Sequence, residues 1–154
     1  MTVHKVAILL GSKSDEQVMQ ACIEYLEKFG INYDLRILSA HRNPDETAAF
    51  VKDSERSGYG VIIAAAGMAA HLPGVVAAHT ILPVIGVPLE GSALNGVDAL
   101  YSIVQMPAGV PVATVAIGSA GAKNAAVLAA EILALNNSSI REKLVAFKKN
   151  GARF

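Results

Sequence analysis

A single cysteine, Cys22, stands among 154 residues. No disulfide can form within the chain, and that economy of thiols suits a reducing cytoplasm. Tryptophan is absent and aromatic residues make up only 5%, so rings that could stack on a flavin are scarce. Charge is equally sparse. Thirteen Lys and Arg balance thirteen Asp and Glu, for a formal net charge of zero, and there is no basic stripe of the kind that neutralises nucleic-acid phosphates. Gly, Pro and His interrupt every apolar run before it reaches the ~20 residues needed to cross a bilayer. The stretch Met1 to Lys5 leads straight into a strand-like run and lacks the pattern of a secretory signal. No group of His, Cys, Asp and Glu has metal-ligand spacing. The expectation is a cytoplasmic chain of one domain, 1–154, with no metal, no nucleic acid and no membrane among its partners.

What is present is apolar. Hydrophobic residues reach 53%, more than a soluble monomer of this size usually carries, and the surplus is expected at subunit interfaces. Val6 to Leu10 is a short continuous apolar run ending at Gly11, as in a buried parallel strand. Val18, Cys22, Tyr25 and Phe29 recur at helical spacing until Gly30 stops them. Further strands are expected at Tyr33 to Leu38, at Val61 to Ala65, at Val84 to Val87 (closed by Pro88), and at Val112 to Ile117. Asn43 reads as the N-cap of a helix that Pro44 opens and that runs towards Ser57. Helices are expected from Ala69 to Thr80 and after Asn95 and Gly96. The alternation predicts an α/β fold, a parallel sheet covered on both faces, with ligands at the carboxyl ends of its strands.

Two later segments bear on assembly. From Ser119 to Leu135 the chain shows little polar face, which predicts a helix buried on nearly every side, in part by a neighbouring subunit. Ile140, Leu144 and Phe147 form one stripe flanked by Arg141, Lys143, Lys148 and Lys149, the pattern of a docking helix whose basic face is solvated.

Three loops at strand ends carry the chemistry. Gly11 to Asp15 offers a close backbone approach, two hydroxyls (Ser12 and Ser14) and a helix start that could bind an oxyanion; a plain cap is the alternative. Its spacing is neither a Walker loop nor a dinucleotide fingerprint. Asp15 repels phosphate and suits ribose hydroxyls. Ser39, Ala40, His41 and Arg42 put an imidazole, able to give and take a proton, beside a planar cation that fits phosphate. Ala66 to Gly74 has side chains so small that its pocket wall must be mostly backbone, with room for a flat ring or a small neutral gas; close packing, with His71 as a hydrogen-bonded core residue, is the alternative. His79 reads as structural, His4 as solvated, Cys22 as a buried inert thiol, and Met19, Met68 and Met106 as filler unless Met68 lines the pocket.

Taken together, Gly11, Ser12, Ser14 and Asp15, then Ser39 to Arg42 with Pro44, then Ala66 to Gly74 resemble the N5-carboxyaminoimidazole ribonucleotide mutase family of purine biosynthesis. Gln105 to Thr114 and Ala116 to Gly118 resemble it too, so the likeness runs in order along nearly the whole chain. It implies a flavodoxin-like three-layer sandwich, a homo-octamer, and no cofactor. It also implies roles: His41 as general acid and base; Arg42 on the phosphate; Ser12, Ser14 and Asp15 on the nucleotide; Ser39 and Ala40 beside it; and Ala66, Gly67, Ala69, His71 and Leu72 around the ring and carbon dioxide. Members that use free carbon dioxide generally have Lys after the loop histidine, so Arg42 resembles the mutase class. The rival readings are that carboxylase class, a flavin-binding electron carrier of similar topology, and a non-catalytic nucleotide-binding subunit.

Overall fold

The computed structural model describes residues 5–154, and His4 lies outside them. Five parallel strands form one sheet in the order β2-β1-β3-β4-β5: β1 (Lys5–Leu10), β2 (Tyr33–Ile37), β3 (Tyr59–Gly67), β4 (Val84–Leu89) and β5 (Ala113–Thr114). Six helices cover it: α1 (Glu16–Phe29), α2 (Pro44–Asp53), α3 (Leu72–Ala77), α4 (Val97–Val104), α5 (Gly118–Leu133) and α6 (Ser138–Lys149). This is the flavodoxin-like order, in which the chain reverses direction across the sheet between β1 and β3 and opens a crevice at their carboxyl ends.

Strand periodicity builds the two cores. Val6, Ile8 and Leu10 with Val61, Ile63 and Ala65 point to one face, where Met19, Cys22, Leu26 and Phe29 of α1, the alanines of α5, and Ile140, Leu144 and Phe147 of α6 meet them. Ala7 and Leu9 with Ile62, Ala64 and Ala66 point to the other, against Val51, Leu72, Val76, Ala99 and Ile103. Both faces are dry, which is why these strands read as unbroken apolar runs rather than alternating ones.

Several boundaries differ from expectation. Pro88 does not close β4; it lies inside that strand, opposite Ala66. The Gly86 carbonyl accepts from Val115 N–H at 3.1 Å, so residues two apart from Gly86 face β5. Pro88 therefore lacks its donor on the β5 side, where β5 has already ended. The missing N–H explains both the tolerated proline and a fifth strand of two residues instead of six. The helix expected from Ala69 begins only at Leu72, because Met68 is left-handed (φ 57°). His79 consequently sits beyond α3, half-buried. α2 ends at Asp53 rather than near Ser57. Asn43 makes no cap bond; its Oδ1 accepts from Ser39 N–H at 2.7 Å and its Nδ2 donates to Glu46 at 2.8 Å. α1 does end at Gly30 (φ 71°), with the Ile31 N–H returning to the Leu26 carbonyl, the left-handed cap glycine allows.

α5 buries one face within this chain. Its small residues face inward within this chain: Gly121, Ala122, Ala125, Ala126, Ala129 and Ala130 are buried, while Ser119, Lys123, Asn124 and Glu131 are exposed. The alanines let α5 lie close to α1 and the sheet, so these positions are covered within the chain, while Val127, Leu128 and Ile132 of the same helix are only partly buried. Large apolar side chains are left exposed elsewhere, among them Val97, Tyr101 and Val104 on α4 and Ile81 and Leu94 in the segments flanking β4.

Candidate active site

The carboxyl ends of β1, β2, β3 and β4 surround one cavity of about 570 Å³. Every site residue named from the sequence lines it: Ser12, Ser14, Asp15, Ser39, Ala40, His41, Arg42, Ala66, Gly67, Ala69, His71 and Leu72. Four loops far apart in sequence converge because parallel strands deliver their ends to the same edge of the sheet.

The first loop is folded by its own polar groups. Ser12 N–H donates to Asp15 Oδ2 at 3.0 Å, and Ser12 Oγ accepts from Ser14 N–H at 3.4 Å and from the Ser14 hydroxyl at 2.9 Å. This reciprocal box caps the short turn before α1, so cap and cavity wall are the same residues. Burial raises the Asp15 carboxyl above its ordinary value, opposed by the Ser12 N–H. The half-buried carboxylate thus pays a desolvation cost that a hydroxyl-bearing ligand would relieve.

The second loop is framed by Ser39, Asn43 and Thr47. Ser39 Oγ accepts from His41 N–H and Arg42 N–H, both at 3.3 Å. The fully buried Thr47 donates its hydroxyl to the Asn43 carbonyl at 2.9 Å. His41 and Arg42 stand out from this frame, exposed. Among the described residues no carboxylate pairs with Arg42, which is exposed and lines the cavity, so its guanidinium is available to an anion.

The third loop brings in the second imidazole. Past Met68 the chain turns through two successive bonds, Ala70 N–H to the Met68 carbonyl at 2.9 Å and His71 N–H to the Ala69 carbonyl at 2.8 Å. This sets His71 Nδ1 2.6 Å from His41 Nε2, the rings edge to face with centroids 4.8 Å apart. One nitrogen donates and the other accepts, so a proton resides between them whichever ring carries it. Two imidazoles in contact on a cavity wall, beside an unpaired guanidinium, can move protons on a bound anion.

A family model described as AIR carboxylase matches residues 5–153. The chain belongs to the AIR carboxylase family. Among its relatives, the N5-carboxyaminoimidazole ribonucleotide mutase of Escherichia coli (strain K12) is 52% identical over 145 residues, 94% of this chain and 86% of that protein. The enzyme of the same name from Thermotoga maritima is 54% identical over 149 residues, 97% of this chain and 86% of that one. The crystal structure of Treponema denticola PurE matches with a TM-score of 0.86 at 32% identity, covering 96% of this chain and 90% of that one. Membership of the AIR carboxylase family disfavours the electron-carrier reading.

The cavity of this AIR carboxylase family chain also has a side that sequence reasoning missed. Val18, Met68, Leu89, Glu90 and Gly91 line it. Leu89 to Gly91 are the carboxyl end of β4, hidden because Pro88 looked like the end of the strand. Met68 was legible only as a condition. Cys22, by contrast, is fully buried, and burial pushes its thiol up to about 12, away from any nucleophilic role.

Proposed function

We propose that this chain converts N5-carboxyaminoimidazole ribonucleotide to 4-carboxy-5-aminoimidazole ribonucleotide, an intramolecular carboxyl transfer in purine biosynthesis, with His41 as the proton shuttle. The observation that carries the reading is the 2.6 Å contact of His41 with His71 on the cavity wall, in a chain of this family. Arg42 holds the phosphate, Asp15 the ribose hydroxyls, Ser12, Ser14, Ser39 and Ala40 the rest of the nucleotide, and the Ala66 to Leu72 loop the ring and the transferred group.

The steps follow from the groups present. Cationic His41 gives a proton to the exocyclic nitrogen. The N–C bond to the carboxylate breaks with its electron pair going to nitrogen, and carbon dioxide is released inside the cavity. The enamine-like ring carbon attacks that carbon dioxide and forms the new C–C bond. Neutral His41 then removes the hydrogen from that carbon and restores aromaticity, returning to its starting form. His71, in hydrogen-bond contact, holds the His41 ring in place through both transfers. Proximity replaces a search for free carbon dioxide, and a shielded compartment limits its loss. These steps call on no cofactor.

The whole chain, 1–154, acts as one domain in the cytoplasm. We extend the reading to a homo-octamer, supported by the large apolar side chains this chain leaves exposed, Ile81 (84% exposed), Leu94 and Tyr101 among them.

The test is direct. Purified protein given N5-carboxyaminoimidazole ribonucleotide is expected to form the ring-carboxylated isomer at the same rate with and without bicarbonate. The family description favours one second reading, a carboxylase acting on aminoimidazole ribonucleotide and free carbon dioxide. Product formed only from that ribonucleotide with bicarbonate would select it, and Arg42 argues against it.

A further inference from the structure

Three non-glycine residues among those described have left-handed backbone: Met68, Asn95 and Ala152. Only Met68 lines the cavity. Side chains rarely adopt this conformation, and glycine adopts it freely. The chain uses glycine at most of its positive-φ sites and immediately before this one, at Gly67. A side chain is therefore kept at 68 against its backbone preference.

That side chain fills no core, being 60% exposed. It stands on the loop that ends at His71, where its neighbours Ala66, Gly67, Ala69 and Ala70 offer nothing larger than a methyl group. Methionine is unbranched, apolar and turns about three bonds. Those are the properties needed to obstruct a molecule that is small, uncharged and poor at hydrogen bonding. Polar groups cannot retain such a molecule; bulk can.

We propose that the Met68 side chain is the cover that keeps carbon dioxide in the cavity between the breaking of the N–C bond and the making of the C–C bond. This rests on the isomerase reading above. The cover takes no part in proton transfer. It decides whether released carbon dioxide meets the ring carbon or escapes, leaving free aminoimidazole ribonucleotide behind. The backbone turn at Met68 fixes His71 on one side while its side chain closes the other.

The experiment follows the carboxyl carbon. N5-carboxyaminoimidazole ribonucleotide is converted in isotope-labelled bicarbonate, with carbonic anhydrase keeping it equilibrated with dissolved gas, and the label in the ring-carboxylated product is measured. The unmodified protein is expected to incorporate little. Met68→Gly relieves the left-handed backbone, so its Tm should not fall, and label should rise about tenfold, within what a lost apolar pocket contact decides between competing fates. Met68→Ala, which keeps the backbone demand without the bulk, should match it. Met68→Leu should return label to near the unmodified level. Equal label in Met68→Gly and the unmodified protein overturns the cover while leaving the isomerase reading intact. A protein that forms no isomer from the substrate overturns that reading and the cover with it.

Discussion

The two ends of the same sheet use polar groups in opposite ways. At the amino end, Asp34 Oδ2 of β2 receives Lys5 Nζ of β1 at 2.6 Å and the Tyr59 hydroxyl of β3 at 2.6 Å. The Lys5 ammonium also lies 4.3 Å from the centre of the Tyr59 ring. Three strands are tied together by groups that satisfy one another. At the carboxyl end, hydroxyls, a guanidinium, a carboxylate and two imidazoles ring a cavity, with their internal bonds only partly filling their capacity. A sheet edge whose polar groups pair among themselves holds register; one whose polar groups face a cavity is available for chemistry.

Breaking the carboxyl end should cost the most activity and the least stability. For His41→Asn, we expect kcat to fall about a hundred- to ten-thousandfold, the range for losing a general acid–base group, with Tm and nucleotide binding close to unchanged. Near-normal turnover in steady-state assays would remove His41 from the proton path. The sheet between the two ends should show the reverse. Leu26→Ala empties a fully buried site between α1 and the sheet and should lower unfolding free energy by ~2–5 kcal/mol in denaturant titration, with kcat of the folded fraction retained.

Arg42→Ala should raise KM with a smaller change in kcat, by about tenfold or more for a lost charge-assisted contact to phosphate. An unchanged KM would move the phosphate elsewhere. The amino-end clamp should give the smallest effect. The Lys5 hydrogen bond and then that of Tyr59 hold the Asp34 carboxyl below its ordinary value of 3.8. A folded-state value below the unfolded one adds stability at pH above the ordinary aspartate range, and that contribution is lost as pH falls through the lowered value. Asp34→Asn should therefore lower Tm slightly at neutral pH, and the difference should begin to narrow below about pH 4, where the unfolded carboxyl takes up its proton, and close as pH falls through the lowered native value. Because the group is partly exposed, salt should shrink it too. Turnover should not change; a change in kcat would mean that the two ends communicate.

Much of this layout was legible in the residues. Val6 to Leu10 and Val61 to Ala65 announced themselves as strands because a parallel strand buried on both faces needs no polar positions. Gly30 marked the end of α1 because a left-handed cap favours glycine. The site loops were legible because each combines small residues with hydroxyls or imidazoles just past an apolar run. Other features were not. A two-residue β5 depends on which side of β4 lacks an N–H, and that is a matter of register. The alanine-rich α5 has the composition of a subunit contact, but its close packing on α1 is set by the crossover that brings it home. Leu89 to Gly91 were concealed by a proline that ends strands only when its missing donor faces a partner.

The amino-acid order by itself determined the alternation of strand and helix, the two apolar faces and the chemical character of each strand-end loop, because these follow from local periodicity, turn preference and side-chain chemistry. The meeting of His41 with His71, thirty residues apart, and the place of Met68 in the lining of the same cavity were decided only by the tertiary structure. Distances between loops depend on strand order and register, and those are settled by packing the whole sheet at once.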